Sequence, residues 1–270
     1  MTTQSLEALR DIRALLIDMD GVLWRGKAPL PGLTDFFRLL RDRPLAFRLV
    51  TNNAGKTPTQ YVDKLAALGV QVTPDEILTS AIATAQYLAA HAPGALVYVI
   101  GTDGLRQALL GHGLRLSSGD HADYVVVGWD QELTFRKLAD ATLLIRAGAK
   151  FIGTNPDVTW PDEQVLLPGN GATLAYLQAS TSVAPLIIGK PERPMFDAAL
   201  AALGADPPHA AMLGDRLETD ILGGQNAGLR GILVLSGATD RATLDTSPVQ
   251  PDWVFDSIQD LTHAWIGLSQ

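Results

Sequence analysis

At 270 residues with 47% hydrophobic content, the chain has apolar material for one large domain or two smaller ones, and two is the expectation. A formal charge of −8, from 21 basic against 29 acidic residues with no basic run, excludes the electrostatic footprint of a nucleic-acid binder. The absence of cysteine excludes disulfides, thiolate metal sites and a cysteine nucleophile, and is compatible with a reducing cytoplasm. Met1–Arg10 is polar, without the apolar core of a signal peptide, and no apolar stretch approaches the roughly 20 residues of a membrane span. The expectation is a soluble cytoplasmic protein with no membrane partner.

Strand-like apolar runs alternate with helix-like stretches along nearly the whole chain, the sign of βα units and a largely parallel sheet. In chain order, strands are predicted near Ala14–Ile17, Ala46–Val50, Leu96–Ile100, Tyr124–Val127, Lys150–Gly153, Pro185–Ile188, Ala210–Leu213, Gly231–Leu235 and Trp253–Phe255. Between them, Thr57, Pro58 and Gln60 read as N-cap, first helical residue and N3 partner of a helix that Gly69 ends. Pro194–Leu203 reads the same way, with Phe196, Leu200 and Leu203 on one stripe and Gly204 at the end. Ala238–Asp252, polar with two prolines, is expected to be a surface loop. A last helix is predicted from about Ser257 to Ile266. The section from about Ala81 to Val183 has its own βα alternation and is large enough to be an inserted domain.

The first strand ends in two carboxylates, Asp18 and Asp20, followed by Gly21. If both are still extended they share a face, with Cα atoms roughly 6.5 Å apart. Two acids at the tip of a core strand repel each other, so something positive is expected there, and a divalent cation is the simplest candidate. Taken alone, the motif reads equally well as a polar turn closing a strand. Three other apolar runs also end in a polar or charged residue: Thr51 after Ala46–Val50, Lys190 after Leu186–Gly189, and Asp215 after Ala211–Gly214. In a parallel sheet all four ends are expected along one edge, where open α/β sheets bind ligands. Together they supply a carboxylate nucleophile, a second carboxylate for proton transfer, a hydroxyl and an ammonium for phosphate oxygens, and a third acid for a metal.

Through DMDGVLW, LVTNN, IIGKP and MLGDRLETD in this order, the sequence resembles the haloacid dehalogenase (HAD) superfamily. It is most similar to the class IIA branch of NagD-like, 4-nitrophenylphosphatase-like and phosphoglycolate phosphatase-like enzymes. The resemblance implies a Rossmann-like α/β core with a parallel sheet and an inserted α/β cap of the C2 type. Residues 1–80 and 184–270 would form the core and 81–183 the cap. It implies that Asp18 attacks phosphorus to form an aspartyl-phosphate, while Asp20 acts as general acid and then general base. Mg²⁺ would be held by Asp18, the main-chain carbonyl of Asp20 and Asp215, with Asp220 supporting the site directly or from behind. Thr51 and Lys190 would grip phosphoryl oxygens, helped by Asn52.

The expected activity is Mg²⁺-dependent hydrolysis of a small phosphorylated metabolite. The alternatives are a phosphomutase and a non-catalytic phosphometabolite-binding regulator on the same scaffold. An acid at Asp20 favours phosphate esters, whose leaving oxygen needs a proton. In the cap, Gly153-Thr154-Asn155-Pro156-Asp157, followed by Trp160 and Pro161, resembles a segment that reaches toward the core site. Asn155 and Asp157 are the candidates for substrate contact, against the alternative of an Asx-type turn. Trp129 and Asp130 are weaker ones. Pairing of caps into a homodimer is a further expectation from the branch.

Gly55-Lys56-Thr57 has the tail of a Walker A loop, but the glycine required five residues earlier is Val50, so a phosphate cradle is not expected. Lys56 is expected to be exposed. The five histidines, His91, His112, His121, His209 and His263, sit in no metal spacing, and no GxSxG sequence supports a serine hydrolase.

Overall fold

The structure, a computed structural model, describes residues 4–43, 45–161 and 165–268. Strand β1 is Ala14–Ile17, buried at all four positions, which is why its sequence is a continuous apolar run rather than an alternating one. A short hairpin of β2 (Trp24–Arg25) and β3 (Ala28–Pro29) follows, then helix α1 (Leu33–Asp42), β4 (Ala46–Thr51), α2 (Pro58–Ala67) and β5 (Ile77–Thr79). The middle of the chain runs α3 (Ser80–His91), β6 (Leu96–Ile100), α4 (Asp103–Gly111), β7 (Arg115–Leu116), β8 (Tyr124–Val127), α5 (Phe135–Arg146) and β9 (Lys150–Gly153). A hairpin of β10 (Thr159–Pro161) and β11 (Leu166–Pro168), then α6 (Asn170–Thr181) and β12 (Leu186–Ile187), complete this section. The remainder is α7 (Arg193–Leu203), β13 (Ala210–Gly214), a π-helical turn Leu217–Ile221, α8 (Leu222–Asn226), β14 (Arg230–Val234), α9 (Arg241–Thr246), β15 (Trp253–Phe255) and α10 (Ile258–Gly267).

Among the described residues two larger sheets form, one of six strands in the order β15-β14-β13-β1-β4-β5 and one of five in the order β12-β9-β8-β6-β7. In the first, β1 pairs in parallel with both β13 and β4, which makes it a central strand. The fold is a Rossmann-like parallel α/β architecture, as the βα alternation predicts. The chain divides into two compact units, Met1–Val50 with Tyr61–Leu78 and Phe196–Gln270, and Thr51–Gln60 with Thr79–Met195. The first unit is built on a core that includes Leu15, Ile17, Phe36, Leu49, Leu213, Trp253 and Trp265. The second has its own core around Ile100, Val125, Val127, Ile145, Phe151 and Leu177. Among the described residues, no helix is long and apolar enough to cross a membrane.

Two expectations are corrected. The strand before Lys190, β12, pairs in parallel with β9 in the five-stranded sheet, so the four polar strand ends do not lie on one sheet edge. A two-residue strand carries no periodicity of its own, so its sequence did not say which sheet it joins. The stretch Ala238–Asp252 is not simply a surface loop, because it contains α9, capped by Asp240, whose carboxylate accepts from the Thr243 N–H at 2.8 Å.

The predicted start of α2 is found as a reciprocal capping box: Gln60 N–H donates to Thr57 Oγ1 at 3.4 Å, and Thr57 N–H donates to Gln60 Oε1 at 2.9 Å. Thr57→Ala removes one acceptor for an otherwise orphaned helix-end donor. It is expected to lower stability by about 1 kcal/mol, measured as a fall in the urea midpoint at unchanged m-value.

Candidate active site

In the first unit, the parallel register pairs Ile17 with Leu213. The ladder runs one step further, with the Asp18 N–H donating to the Leu213 carbonyl at 2.8 Å. Asp18 and Asp215 therefore leave adjacent strands at nearly the same level. Asp220 joins them from the π-helical turn, a local widening of the helix often found where a side chain must be re-aimed. One carboxylate oxygen each from Asp18, Asp215 and Asp220 lies within 4.8 Å of the others. Asp215 and Asp220 are 3% and 1% exposed, so water cannot screen their mutual repulsion well. Such an all-oxygen, multiply charged set matches a hard divalent cation.

The packing around this group also fits an ion site. A Cβ added at Gly237 would fall 1.9 Å from Asp215 Oδ2, and one at Gly21 would fall 2.3 Å from the same atom. Gly21 has φ +86°, which L side chains rarely adopt. Bare backbone thus closes around the Asp215 carboxylate. Asp215 Oδ2 accepts from the Ala238 N–H at 2.7 Å, and the Asp215 carbonyl accepts from Thr239 N–H at 3.1 Å. Asp220 Oδ2 accepts from the N–H groups of Asp215 and Arg216 at 3.2 and 3.1 Å, fixing the turn that carries Asp215. The Asp20 side chain stands outside the three-acid group. It is exposed, and its Oδ1 accepts from the indole N–H of Trp24 at 2.7 Å.

In the second unit, Thr51 is 5% exposed and its Oγ1 accepts from the Asn53 N–H at 3.2 Å. Asn52 Nδ2 donates to the Lys190 carbonyl at 2.9 Å and to both carboxylate oxygens of Asp157 at 3.2 Å. The Asn52 carbonyl in turn accepts from Ser80 Oγ at 2.6 Å and from Asn155 Nδ2 at 2.7 Å. Asn155 Oδ1 accepts from the Asp157 N–H at 3.2 Å, so the Asx-type turn is present. Both ends of the Asn155 amide are therefore committed within the protein. Lys190 is only 2% exposed, and a buried ammonium costs several kcal/mol unless it is paired, which marks this charge as placed. Gly189 before it has no room for a side chain, since a Cβ would fall 2.5 Å from the Thr154 carbonyl.

The structure thus gathers Asp18, Asp215 and Asp220 in one unit and Asn52, Asn155, Asp157 and Lys190 in the other. Asp130 is engaged by Lys137 Nζ at 2.8 Å, and Trp129 donates its indole N–H to the Pro168 carbonyl at 3.2 Å. The side chains of Trp160 and Pro161 lie outside the described residues. Lys56 is exposed, and Gly55 offers no phosphate cradle because its N–H donates to Asn53 Oδ1 at 2.8 Å. Of the histidines, His91, His112 and His209 each hydrogen-bond a backbone carbonyl at 2.8–3.2 Å. Sequence reasoning missed Gly237, Ala238 and Trp24. Only Trp24 left a trace, as the last letter of the DMDGVLW motif.

Comparison with known proteins adds the family. Residues 15–115 match the haloacid dehalogenase-like hydrolase model, and residues 187–261 match a second HAD-hydrolase-like model. The acid sugar phosphatase of Staphylococcus epidermidis is 40% identical over 250 residues, covering 93% of this chain and 96% of its own. The structure of a 4-nitrophenylphosphatase from Thermotoga maritima superposes with a TM-score of 0.91 at 33% identity, over 95% of this chain and 98% of that one. NagD from E. coli superposes with a TM-score of 0.87 at 32% identity, over 92% and 98%.

Proposed function

We propose, because this chain belongs to the haloacid dehalogenase-like hydrolases of class IIA and is a phosphoric monoester hydrolase, that it works through an aspartyl-phosphate on Asp18. The observation that carries the reading is the group of three carboxylates with oxygens within 4.8 Å, Asp18 and Asp215 just past the ends of two paired parallel strands and Asp220 on the π-helical turn. Asp18 attacks phosphorus in line, a bond forms between its carboxylate oxygen and phosphorus, and the ester P–O bond breaks. Asp20 gives its proton to the departing oxygen and then takes one from the water that hydrolyses the acyl phosphate.

Asp18, Asp215 and the Asp20 carbonyl are the proposed ligands of Mg²⁺. Asp220 holds the loop behind them through the N–H groups of Asp215 and Arg216. When bound, Mg²⁺ supplies Lewis-acid stabilisation of the charge on the transferring phosphoryl group. The buried Lys190 ammonium and the Thr51 hydroxyl are assigned to phosphoryl oxygens. Asn52, Asn155 and Asp157 are assigned to holding the backbone at Lys190 and Asn52, in keeping with their hydrogen bonds to each other. The names of the relatives put sugar phosphates and 4-nitrophenyl phosphate first among the esters to try.

The test is phosphate release by purified protein from a panel of sugar phosphates, nucleoside monophosphates and 4-nitrophenyl phosphate. Turnover is expected with Mg²⁺, to vanish after EDTA, and to return when Mg²⁺ is added back. Turnover indifferent to chelation would remove the metal from this reading.

A further inference from the structure

We propose that Trp24 is a positioning residue for the proton-transfer step: its buried indole N–H, with Lys64 against its ring, tethers one oxygen of Asp20 so that the other stays aimed at the departing ester oxygen. The proposal rests on the roles given above to Asp18 and Asp20.

Three observations within the first unit carry it. Trp24 is fully buried, at 0% exposure, and its N–H has a single geometric option, since an indole is a donor only. That donor meets Asp20 Oδ1 at 2.7 Å, at the short end for an N–H···O contact. The exposed Asp20 side chain would otherwise be free to turn among its rotamers.

The ring is itself fixed by helix α2, where Tyr61 stacks against it with centroids 6.4 Å apart and planes 19° from parallel. Lys64, one turn further along α2, places its ammonium 3.8 Å from the ring centroid and donates to the Gly26 carbonyl at 3.0 Å. A cation over an indole draws electron density out of the ring, which makes its N–H a stronger donor. The chain of contacts is therefore Lys64 to Trp24 to Asp20, and it ends on the group that moves the proton.

A tether of this kind affects one chemical event more than any other. In the first step the Asp18–phosphorus bond forms, the ester P–O bond breaks, and the leaving oxygen takes both the bonding electron pair and the Asp20 proton. Phenoxide, with a conjugate-acid pKa of about 10, needs that proton. The much less basic 4-nitrophenoxide leaves with little help. The two esters share a ring and a charge, so a change in packing alone affects them alike.

The experiment measures kcat/KM, which reports the step up to ester cleavage, for phenyl phosphate and 4-nitrophenyl phosphate. The proteins are the wild type, Trp24→Phe and Lys64→Met, all with Mg²⁺. Trp24→Phe is expected to lower kcat/KM for phenyl phosphate about 10- to 100-fold, a part of what a positioned general acid supplies, while 4-nitrophenyl phosphate changes less than about 3-fold. Lys64→Met sits on a helix surface and leaves the indole in place. It is expected to produce the same selectivity at about 3- to 5-fold, and it decides the matter should Trp24→Phe not fold. Equal losses on the two esters, or no loss, in the variant that folds overturn the proposal. A wild type that turns over neither ester with Mg²⁺ overturns the catalytic reading and this inference with it. Selectivity can fail while the wild type remains active, so the two failures are distinguishable.

Discussion

Asp18→Asn releases phosphate from 4-nitrophenyl phosphate at least about 10⁴-fold more slowly than the wild type, the scale seen when an enzyme loses its nucleophile. The substitution keeps shape and removes charge. An amide oxygen is too weak a nucleophile to open a phosphate ester, whatever the metal and the remaining acids do. A loss of this size needs a control for folding, and the structure provides one with an unusual sign. Asp18, Asp215 and Asp220 bring oxygens within 4.8 Å of each other, and two of the three residues are almost fully buried. Removing one charge relieves part of the mutual repulsion among the three acids. In metal-free buffer Asp18→Asn should therefore melt at the same temperature as the wild type or a few degrees higher, and Mg²⁺ should raise the Tm of the variant less than that of the wild type. An inactive variant with lowered Tm would mean that Asp18 supports the fold. A variant retaining more than a few per cent of the rate would mean that phosphorus is attacked by some other group.

Asp18 and Asp215 were legible in the sequence because each ends an apolar run, and parallel strands export their last residue to a common edge, whereas Asp220, within the polar stretch after Asp215, was marked only by the family resemblance. That argument holds for Asp18 and Asp215, whose strands β1 and β13 pair with Ile17 opposite Leu213. It fails for Lys190, whose strand β12 pairs with β9 instead. Two residues of strand have no face to bury, and their partner is decided by the connections on either side. The helix hidden in Ala238–Asp252 had its cap in view at Asp240, but only Leu244 of its six residues is buried, so no apolar stripe announced it. Least legible were contacts made by backbone. Ala238 N–H at 2.7 Å from Asp215 Oδ2 and the bare approaches of Gly21 and Gly237 have no signature in residue chemistry, because any residue carries the N–H and a glycine signals only that something is close. Trp24 could be read as an apolar core residue, and it is one. Its N–H gains an acceptor only through the turn that returns the chain from Asp20.

Gly237→Ala isolates what those bare approaches contribute. The backbone at Gly237 carries no positive φ among those recorded for the chain's glycines, so alanine adds a methyl group without backbone strain. That methyl would sit 1.9 Å from Asp215 Oδ2 and 2.4 Å from its Cβ, closer than any real contact, and something must yield. Overpacking of this kind costs about 1–3 kcal/mol, leaving most folded domains intact. The carboxylate can retreat only at the expense of the 2.7 Å hydrogen bond from Ala238. If Asp215 holds the metal, a displacement near 1 Å is enough to cost on the order of 10²-fold in kcat/KM. The loss should be accompanied by a rise of roughly tenfold or more in the Mg²⁺ concentration for half-maximal rate, on the scale that disturbing a metal ligand's support produces. Gly21→Ala meets the same oxygen at 2.3 Å and adds the strain of φ +86°, so it should be the less stable of the two. The comparison separates two accounts of this loop. A Gly237→Ala enzyme with wild-type Mg²⁺ dependence and a simple loss of stability would make the close approach a matter of packing. A weakened metal requirement in a folded protein would make the two glycines part of the ion site, shaped by what they leave out.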